Sequence, residues 1–163
     1  MKIAHLLKLF VAVVLAASFS IGDADAQSRR DRDRDKQEER VDFPNATRES
    51  PPAANSPRLA KDIQKMFDTY NDGEDMEAAI ALAEKIIANE RAKPYDRAIS
   101  MMIAGNAALG LDDYPRAIPY LEKALAEDAL PNNNHFNTMQ TLASVYAQED
   151  MVDEAIAMIA RLQ

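Results

Sequence analysis

A repeat of 38 residues constrains the fold of this chain more than any other feature. An alanine followed by an isoleucine occurs three times with that spacing, at Ala79–Ile80, Ala117–Ile118 and Ala155–Ile156. Other positions keep the same period, namely Met76/Tyr114/Val152, Leu82/Tyr120/Met158, Ile86/Ala124/Leu162 and the basic Lys85/Lys123/Arg161. A period of about 20 to 50 residues with helical spacing inside each copy is typical of stacked helical hairpins. The sequence therefore predicts an all-α fold in which each hairpin buries a face against the next.

Composition supports helices and excludes several chemistries. The 163 residues are 47% hydrophobic but only 6% aromatic, and Ala, Leu, Ile and Met favour helices over strands. The chain has no Cys, which excludes disulfide scaffolds, zinc–thiolate sites, iron–sulfur clusters and cysteine nucleophiles. Its net charge of −8 argues against nucleic-acid binding, because that affinity comes mostly from Lys and Arg side chains that neutralise phosphates.

Turn and capping residues divide the second part of the chain into six predicted helices. Ser56–Pro57 cap and open the first helix, Gly110 suits a left-handed cap after the third, and Asp113 caps the fourth. Pro119 lies one turn inside the fourth helix, where we expect it to remove a hydrogen bond or cause a small bend. The predicted helices span about 57–71, 74–90, 94–109, 114–128, 134–148 and 151–162.

Residues 1–26 have the order of a secretory signal peptide. Lys2 and Lys8 precede the apolar stretch Leu9–Ile21, and the small-residue site Ala24–Asp25–Ala26 follows. This stretch of 13 residues is too short to cross a hydrocarbon core of about 30 Å. We predict cleavage after Ala26 and export to the periplasm or outside the cell, with no stable membrane span afterwards. Retention of the segment as an uncleaved anchor is the alternative.

A mixed-charge and proline-rich linker is predicted for residues 27–57. Arg29–Lys36 alternates basic and acidic side chains, and the segment up to Ser50 has almost nothing to bury and should stay disordered. A nucleic-acid or membrane-surface arm is the alternative. We disfavour it because each Arg has an acidic neighbour that cancels its field.

The repeats resemble the tetratricopeptide repeat (TPR). In that family small residues lie where the two helices of a hairpin cross, and Gly105 and Ala143 match this position in the first helices, whereas Phe67 does not. The second helices match through their repeated alanine and through Leu121 and Ile159, whereas Ala83 departs. The resemblance implies a right-handed α-α superhelix, or solenoid, of about three hairpins over residues 58–163, with repeats at about 58–93, 94–131 and 132–163.

The residues that catalysis or metal binding would need are missing from the predicted mature chain. His135 follows three asparagines, and a neutral polar turn residue explains it better than a catalytic base. Residues 68–79 place Gly73 as in a calcium-binding loop but have Tyr70 and Ala79 where oxygen ligands are needed. The methionines lack a paired pattern that would favour copper. We therefore predict no catalytic residue, no metal and no cofactor.

The resemblance implies a concave groove lined by the first helix of each hairpin. Its predicted exposed positions are Lys61, Gln64, Asp68 and Asn71, then Ile99, Met102, Asn106 and Leu109, and then Asn137, Gln140, Ser144 and Gln148. Amide side chains both donate and accept hydrogen bonds, so this lining suits an extended peptide or a partner helix. Plainly solvated helix positions are the alternative reading. Family members that clamp a carboxylate use Lys and Arg in the groove, whereas Asn137 and Thr141 occupy two of those positions here.

Two classes of function follow from this sequence. The first is a non-catalytic interaction module or adaptor in the bacterial cell envelope, with a protein or peptide partner. The second is a self-assembling structural subunit, such as a homodimer formed through the last helix. In that helix Ala155, Ile159 and Leu162 should face their own hairpin, whereas Ile156 and Ala160 should form a possible interface. A single tolerated exposed residue at Ile156 is the alternative.

Overall fold

A computed structural model of the chain describes residues 43–162. The predicted signal peptide, its cleavage site and the linker up to residue 42 lie outside this range. Within it the chain forms an all-α helical repeat of three hairpins with no strand, as the 38-residue spacing predicts. The helices are α1 (Ala60–Asp72), α2 (Met76–Ile87), α3 (Pro94–Gly110), α4 (Tyr114–Ala126), α5 (Asn132–Gln148) and α6 (Val152–Ala160).

Each hairpin packs on the next through its second helix. Helix α2 contacts both α1 and α3, and α4 contacts both α3 and α5, while α6 contacts α5. The repeated alanines Ala79, Ala117 and Ala155 are all buried, at 0%, 0% and 5% exposure. The small side chains at these positions let the helix axes approach closely, as in other tightly packed helix pairs.

Helices α3 and α4 lie close together at Gly105. A Cβ atom on Gly105 would lie 2.6 Å from Leu121 Cδ2 and 3.4 Å from the carbonyl oxygen of Ala117. This places Ala117 at the crossing, as predicted. The first hairpin has Phe67 and Ala83 at the positions equivalent to Gly105 and Leu121, and both contribute to one apolar cluster. The large and small residues are exchanged between the two helices, which explains both departures from the family pattern.

The turn after α3 corrects the prediction for Gly110. Gly110 is the last residue of the helix, and the left-handed conformation is at Asp112, with φ of 57°. The N–H of Asp113 then donates to the carbonyl oxygen of Ala108 at 3.0 Å, which closes the helix end. A Cβ on Gly110 would lie 3.4 Å from the Met76 side chain, so the glycine leaves room for α2. Asp150, after α5, repeats the left-handed turn with φ of 58°.

The structure confirms one of the two predicted helix N-caps and contradicts the other. The Asp113 carboxylate accepts a hydrogen bond from the backbone N–H of Arg116 at 3.2 Å, so it caps α4 as predicted. Ser56 does not cap the first helix, which begins at Ala60, because its side chain is bonded to Asp96 of α3 instead. Helix α4 continues through Pro119, whose ring is exposed.

The described segment before α1, residues 43–59, is anchored to the hairpins, in contrast to the disorder expected up to residue 57. Arg48 reaches the turn between α4 and α5, and its guanidinium donates to the Asp128 carboxylate at 2.7 Å and to the carbonyl oxygen of Leu130 at 3.1 Å. It also donates to the Asn132 side chain at 2.7 Å, and the ring of Phe43 lies 5.0 Å from that of Phe136. These contacts are made by residues far away in sequence, which the local composition of the linker does not reveal.

Candidate functional site

Of the twelve predicted groove positions, eight are exposed, three are half-buried and one is buried. The four positions on α1 and the four on α5 are exposed, and Met102, Asn106 and Leu109 on α3 are half-buried. Ile99 is 1% exposed, so its prediction as an exposed groove residue is wrong. It packs instead in a cluster with Ala124 and Leu130, because the turn after α4 folds back over the first part of α3.

A shallow pocket of about 200 Å³ lies between α3 and α5. It is lined by Met102, Asn106, Asn134, Asn137, Thr138 and Thr141. Three of these, Met102, Asn106 and Asn137, are predicted groove residues. The structure adds Asn134, Thr138 and Thr141, whose spacing from Asn134 of four and seven residues puts them on one helix face. This helical spacing is the sequence signal that could have identified the three residues as pocket lining. The same spacing also fits an ordinary row of buried residues on a helix, so it does not indicate a pocket by itself.

The polar groups of this pocket are only partly satisfied by the protein. Thr138 Oγ1 donates to the carbonyl oxygen of Asn134 at 2.7 Å, and the Asn134 amide lies 3.7 Å from the sulfur of Met102. Within residues 43–162 the side chains of Asn106, Asn137 and Thr141 have no hydrogen-bond partner. These three groups remain able to donate to and accept from a ligand.

No charged side chain lines this pocket. Charges on the predicted groove are confined to α1, where the Gln64 amide donates to the Asp68 carboxylate at 2.7 Å. The pocket between α3 and α5 therefore presents amides, hydroxyls and one thioether. This chemistry matches a neutral peptide backbone better than a charged head group.

A second cavity of about 320 Å³ lies where the N-terminal segment meets the last hairpin. Its lining combines residues 43–47 with Phe136, Arg161 and Leu162. The sequence contained no signal for it, because it depends on the folding of the predicted linker onto α5 and α6.

Asp96 is a buried carboxylate that joins the N-terminal segment to α3. It accepts hydrogen bonds from the backbone N–H of Ser56 at 2.9 Å, from Ser56 Oγ at 2.5 Å, and from the backbone N–H of Lys93 at 2.8 Å. Burial raises the pKa of Asp96, but the hydrogen bonds from Ser56 and Lys93 outweigh burial and lower the pKa below its usual value. Asp96 is therefore an ionised structural anchor.

His135 is buried, with 7% of its surface exposed, whereas the sequence predicts a polar turn residue. It lies in the first turn of α5 beside Phe136, and its Nδ1 atom has no hydrogen-bond partner within the described residues. Burial lowers the pKa of His135, and the charges of Arg48 and Arg161 lower it further while Asp128 opposes them. The imidazole is neutral and belongs to the packing of the hairpin.

Helix α6 exposes an apolar stripe at Val152, Ile156 and Ile159, which are 57%, 61% and 50% exposed. Ile156 and Ala160 face outward as predicted. The prediction that Ile159 faces its own hairpin is wrong, because Met158 is buried there at 7% exposure beside Ala155. Ala155 and Leu162 pack in this cluster as predicted, so the inward face differs from the prediction only in having Met158 in place of Ile159.

Among residues 43–162, no three or more His, Cys, Asp or Glu side chains are gathered as a metal ion would require. No helix in the same range is long and apolar enough to cross a membrane.

Comparisons with known proteins support the fold. No protein-family model matches the chain, and no curated protein sequence matches it. Two solved structures are similar to it: a candidate kinesin light chain from Podosopora anserina with nearly identical TPR-like repeats, and a single-substitution form of that protein. Each aligns with a TM-score of 0.50 and 19% identity over 64% of this chain and 53% of the other, about half its length. The chain thus has a TPR-like helical-repeat fold.

Proposed function

We propose that this protein is a non-catalytic interaction module that binds an extended segment of a partner protein in the groove between α3 and α5. The observation that supports this most is the neutral pocket, in which the side chains of Asn106, Asn137 and Thr141 have no hydrogen-bond partner among residues 43–162. An extended peptide has an unpaired N–H or C=O at every residue, and amide side chains can pair with either. The TPR-like fold supports the general role of binding another protein, and the neutral pocket supports an extended peptide segment as the class of ligand.

The absence of charge in the pocket determines which ligands it favours. A carboxylate clamp needs cationic side chains, and none lines this pocket. Met102 supplies an adaptable apolar contact beside the amides. The ligand is therefore a segment that presents backbone and small or apolar side chains, rather than a chain terminus or a phosphorylated motif.

We also propose that the protein acts in the bacterial envelope as an exported adaptor. The order of Lys2, Lys8, Leu9–Ile21 and Ala24–Asp25–Ala26 supports export, and cleavage after Ala26 would give a chain that begins at Gln27. Intact-mass measurement of the protein recovered from the periplasmic fraction tests this proposal. A species that still contains residues 1–26 would contradict it.

The binding proposal is tested with a phage-displayed library of random peptides selected on the immobilised chain. Peptides that are enriched are then synthesised and titrated by calorimetry against the wild type and against Asn106→Ala/Asn137→Ala. We expect the double substitution to weaken binding by at least about tenfold, since each lost hydrogen bond contributes about 1 kcal/mol.

The matched control is Lys123→Ala, an exposed position on α4 outside this groove. It should leave the affinity unchanged, and all variants should keep the helical circular-dichroism spectrum of the wild type. Peptides that bind equally well to the wild type and to the double variant would show that the groove is not the binding site.

A further inference from the structure

The exposed stripe on α6 is a stacking face that is covered in the two preceding hairpins. Counted at the 38-residue spacing, its positions correspond to Met76, Ile80 and Ala83 on α2 and to Tyr114, Ile118 and Leu121 on α4. Ile80, Ala83 and Leu121 are completely buried, and the other three are half-buried. Helix α3 packs on α2, and helix α5 packs on α4. Within residues 43–162, nothing packs on the equivalent face of α6.

On the side of α5 the surroundings of the stripe are uncharged, whereas the exposed Asp153 flanks the stripe on α6 itself. Gln140 and Ser144 on α5 correspond to Met102 and Asn106, which face the following hairpin in the pocket between α3 and α5. Together with Ala147 they extend the face with exposed, neutral side chains. On that side two copies of a chain with a net charge of −8 can meet without bringing like charges into contact.

The opposite end of the stack does not accept this face. Helix α1 has the exposed residues Lys61 and Lys65 where α3 has the buried residues Ile99 and Ile103. Head-to-tail stacking of two copies would bury both ammonium groups against aliphatic side chains, which is costly. The linker of the same chain is no alternative occupant, since Val41 is the only aliphatic residue other than alanine between residues 27 and 42.

We propose that the α6 face binds the α6 face of a second copy in a two-fold dimer. The spacing of Val152, Ile156 and Ile159 is nearly symmetric about Ile156, so an antiparallel pair places Ile156 against itself and Val152 against the partner copy's Ile159. A two-fold contact is closed, so assembly ends at the dimer. Helix α5 is roughly 25 Å long and α6 roughly 13 Å, which makes a small interface and a dimer that dissociates on dilution.

The test is sedimentation velocity of the chain from Gln27, which contains every described residue, from about 1 µM to about 1 mM. The wild type should shift from monomer to dimer with no larger species. Ile156→Glu should weaken association by at least about tenfold, because it buries two carboxylates against each other. Ala157→Glu adds the same charge at an exposed position of α6 outside the stripe and should leave the dimer intact.

The native chain has no Cys, so a single cysteine reports the two-fold geometry. Under oxidation Ile156→Cys should give a covalent dimer much faster than Ala157→Cys does. A wild type that is monomeric over the whole range would overturn the proposal. So would association that Ile156→Glu does not weaken, or growth beyond the dimer. None of these outcomes tests the proposal that the groove binds a peptide, because Asn106 and Asn137 are unchanged in every variant.

Discussion

The second and third hairpins have the same residue pattern but different surroundings. Leu121 on α4 and Ile159 on α6 are equivalent by the repeat, yet Leu121 is completely buried and Ile159 is 50% exposed. The reason is that α5 packs on this face of α4, whereas no described helix packs on the equivalent outer face of α6. Apolar periodicity therefore predicts which face of a helix can be buried, and the neighbouring hairpin determines whether it is.

The largest loss of stability is expected at Leu121, the stacking position that α5 covers. Leu121→Ala should lower the free energy of unfolding by about 2–5 kcal/mol, because it opens a cavity between α3, α4 and α5. Urea unfolding followed by circular dichroism measures the change. A loss below about 1 kcal/mol would mean that the second hairpin is not packed on both sides.

The crossing inside the second hairpin is the next test. Gly105→Ala should destabilise the protein by about 1–3 kcal/mol, since the new Cβ would overlap Leu121 Cδ2 in a filled core. The matched control is Ala143→Gly at the equivalent position of α5, which removes a methyl group and cannot overpack. If Gly105→Ala raises the unfolding midpoint, the helices are farther apart than described.

Asp96 on α3 anchors the N-terminal segment to the second hairpin, and its contribution to stability should depend on pH. Asp96→Asn should lower stability by about 1–3 kcal/mol at neutral pH, because the amide replaces an acceptor of three hydrogen bonds. The folded pKa of Asp96 is lowered, so its contribution is complete above the unfolded value of about 3.9 and is lost as the pH falls through the folded pKa. The difference between wild type and variant should therefore shrink in acid. A difference that stays constant from pH 7 down to about pH 3 would assign the loss to packing instead.

Arg48, which anchors the N-terminal segment to the turn before the third hairpin, should contribute less to stability than Asp96 does, because its partner Asp128 is 73% exposed. Arg48→Ala is expected to cost about 1 kcal/mol or less, mostly through its bonds to the carbonyl oxygens of Leu130 and Asp128. Hydrogen exchange of residues 43–55 should accelerate while α1 to α6 stay protected. Unchanged exchange in that segment would show that other contacts hold it.

The smallest change in stability is expected at Ile159, the equivalent position on α6 that no described helix covers. At low protein concentration, where the chain is monomeric, Ile159→Ala should change stability by less than about 0.5 kcal/mol. A cost comparable to that of Leu121→Ala would mean that α6 is packed on its outer face within the monomer.

The fold could be predicted from the sequence because the 38-residue period and the capping Asp113 act locally. The corrections arise from contacts between distant residues. Ser56 bonds to Asp96 instead of capping a helix, Gly110 makes room for Met76, and the first turn of α3 is covered by the turn after α4. The groove was predicted only in part for the same reason. Helical spacing identifies Met102, Asn106 and Asn137, but which of their neighbours complete a pocket depends on how α3 and α5 pack.

The equivalence of α4 and α6 is tested most directly by adding a fourth hairpin. A copy of residues 126–163 attached after Gln163 keeps the 38-residue spacing and places a helix like α5 on the open face. In this longer chain the unfolding midpoint should rise, and Ile159→Ala should now cost about 2–5 kcal/mol, as Leu121→Ala does in the native chain. An unchanged midpoint, with Ile159→Ala still neutral, would contradict the claim that the α6 face is a stacking face.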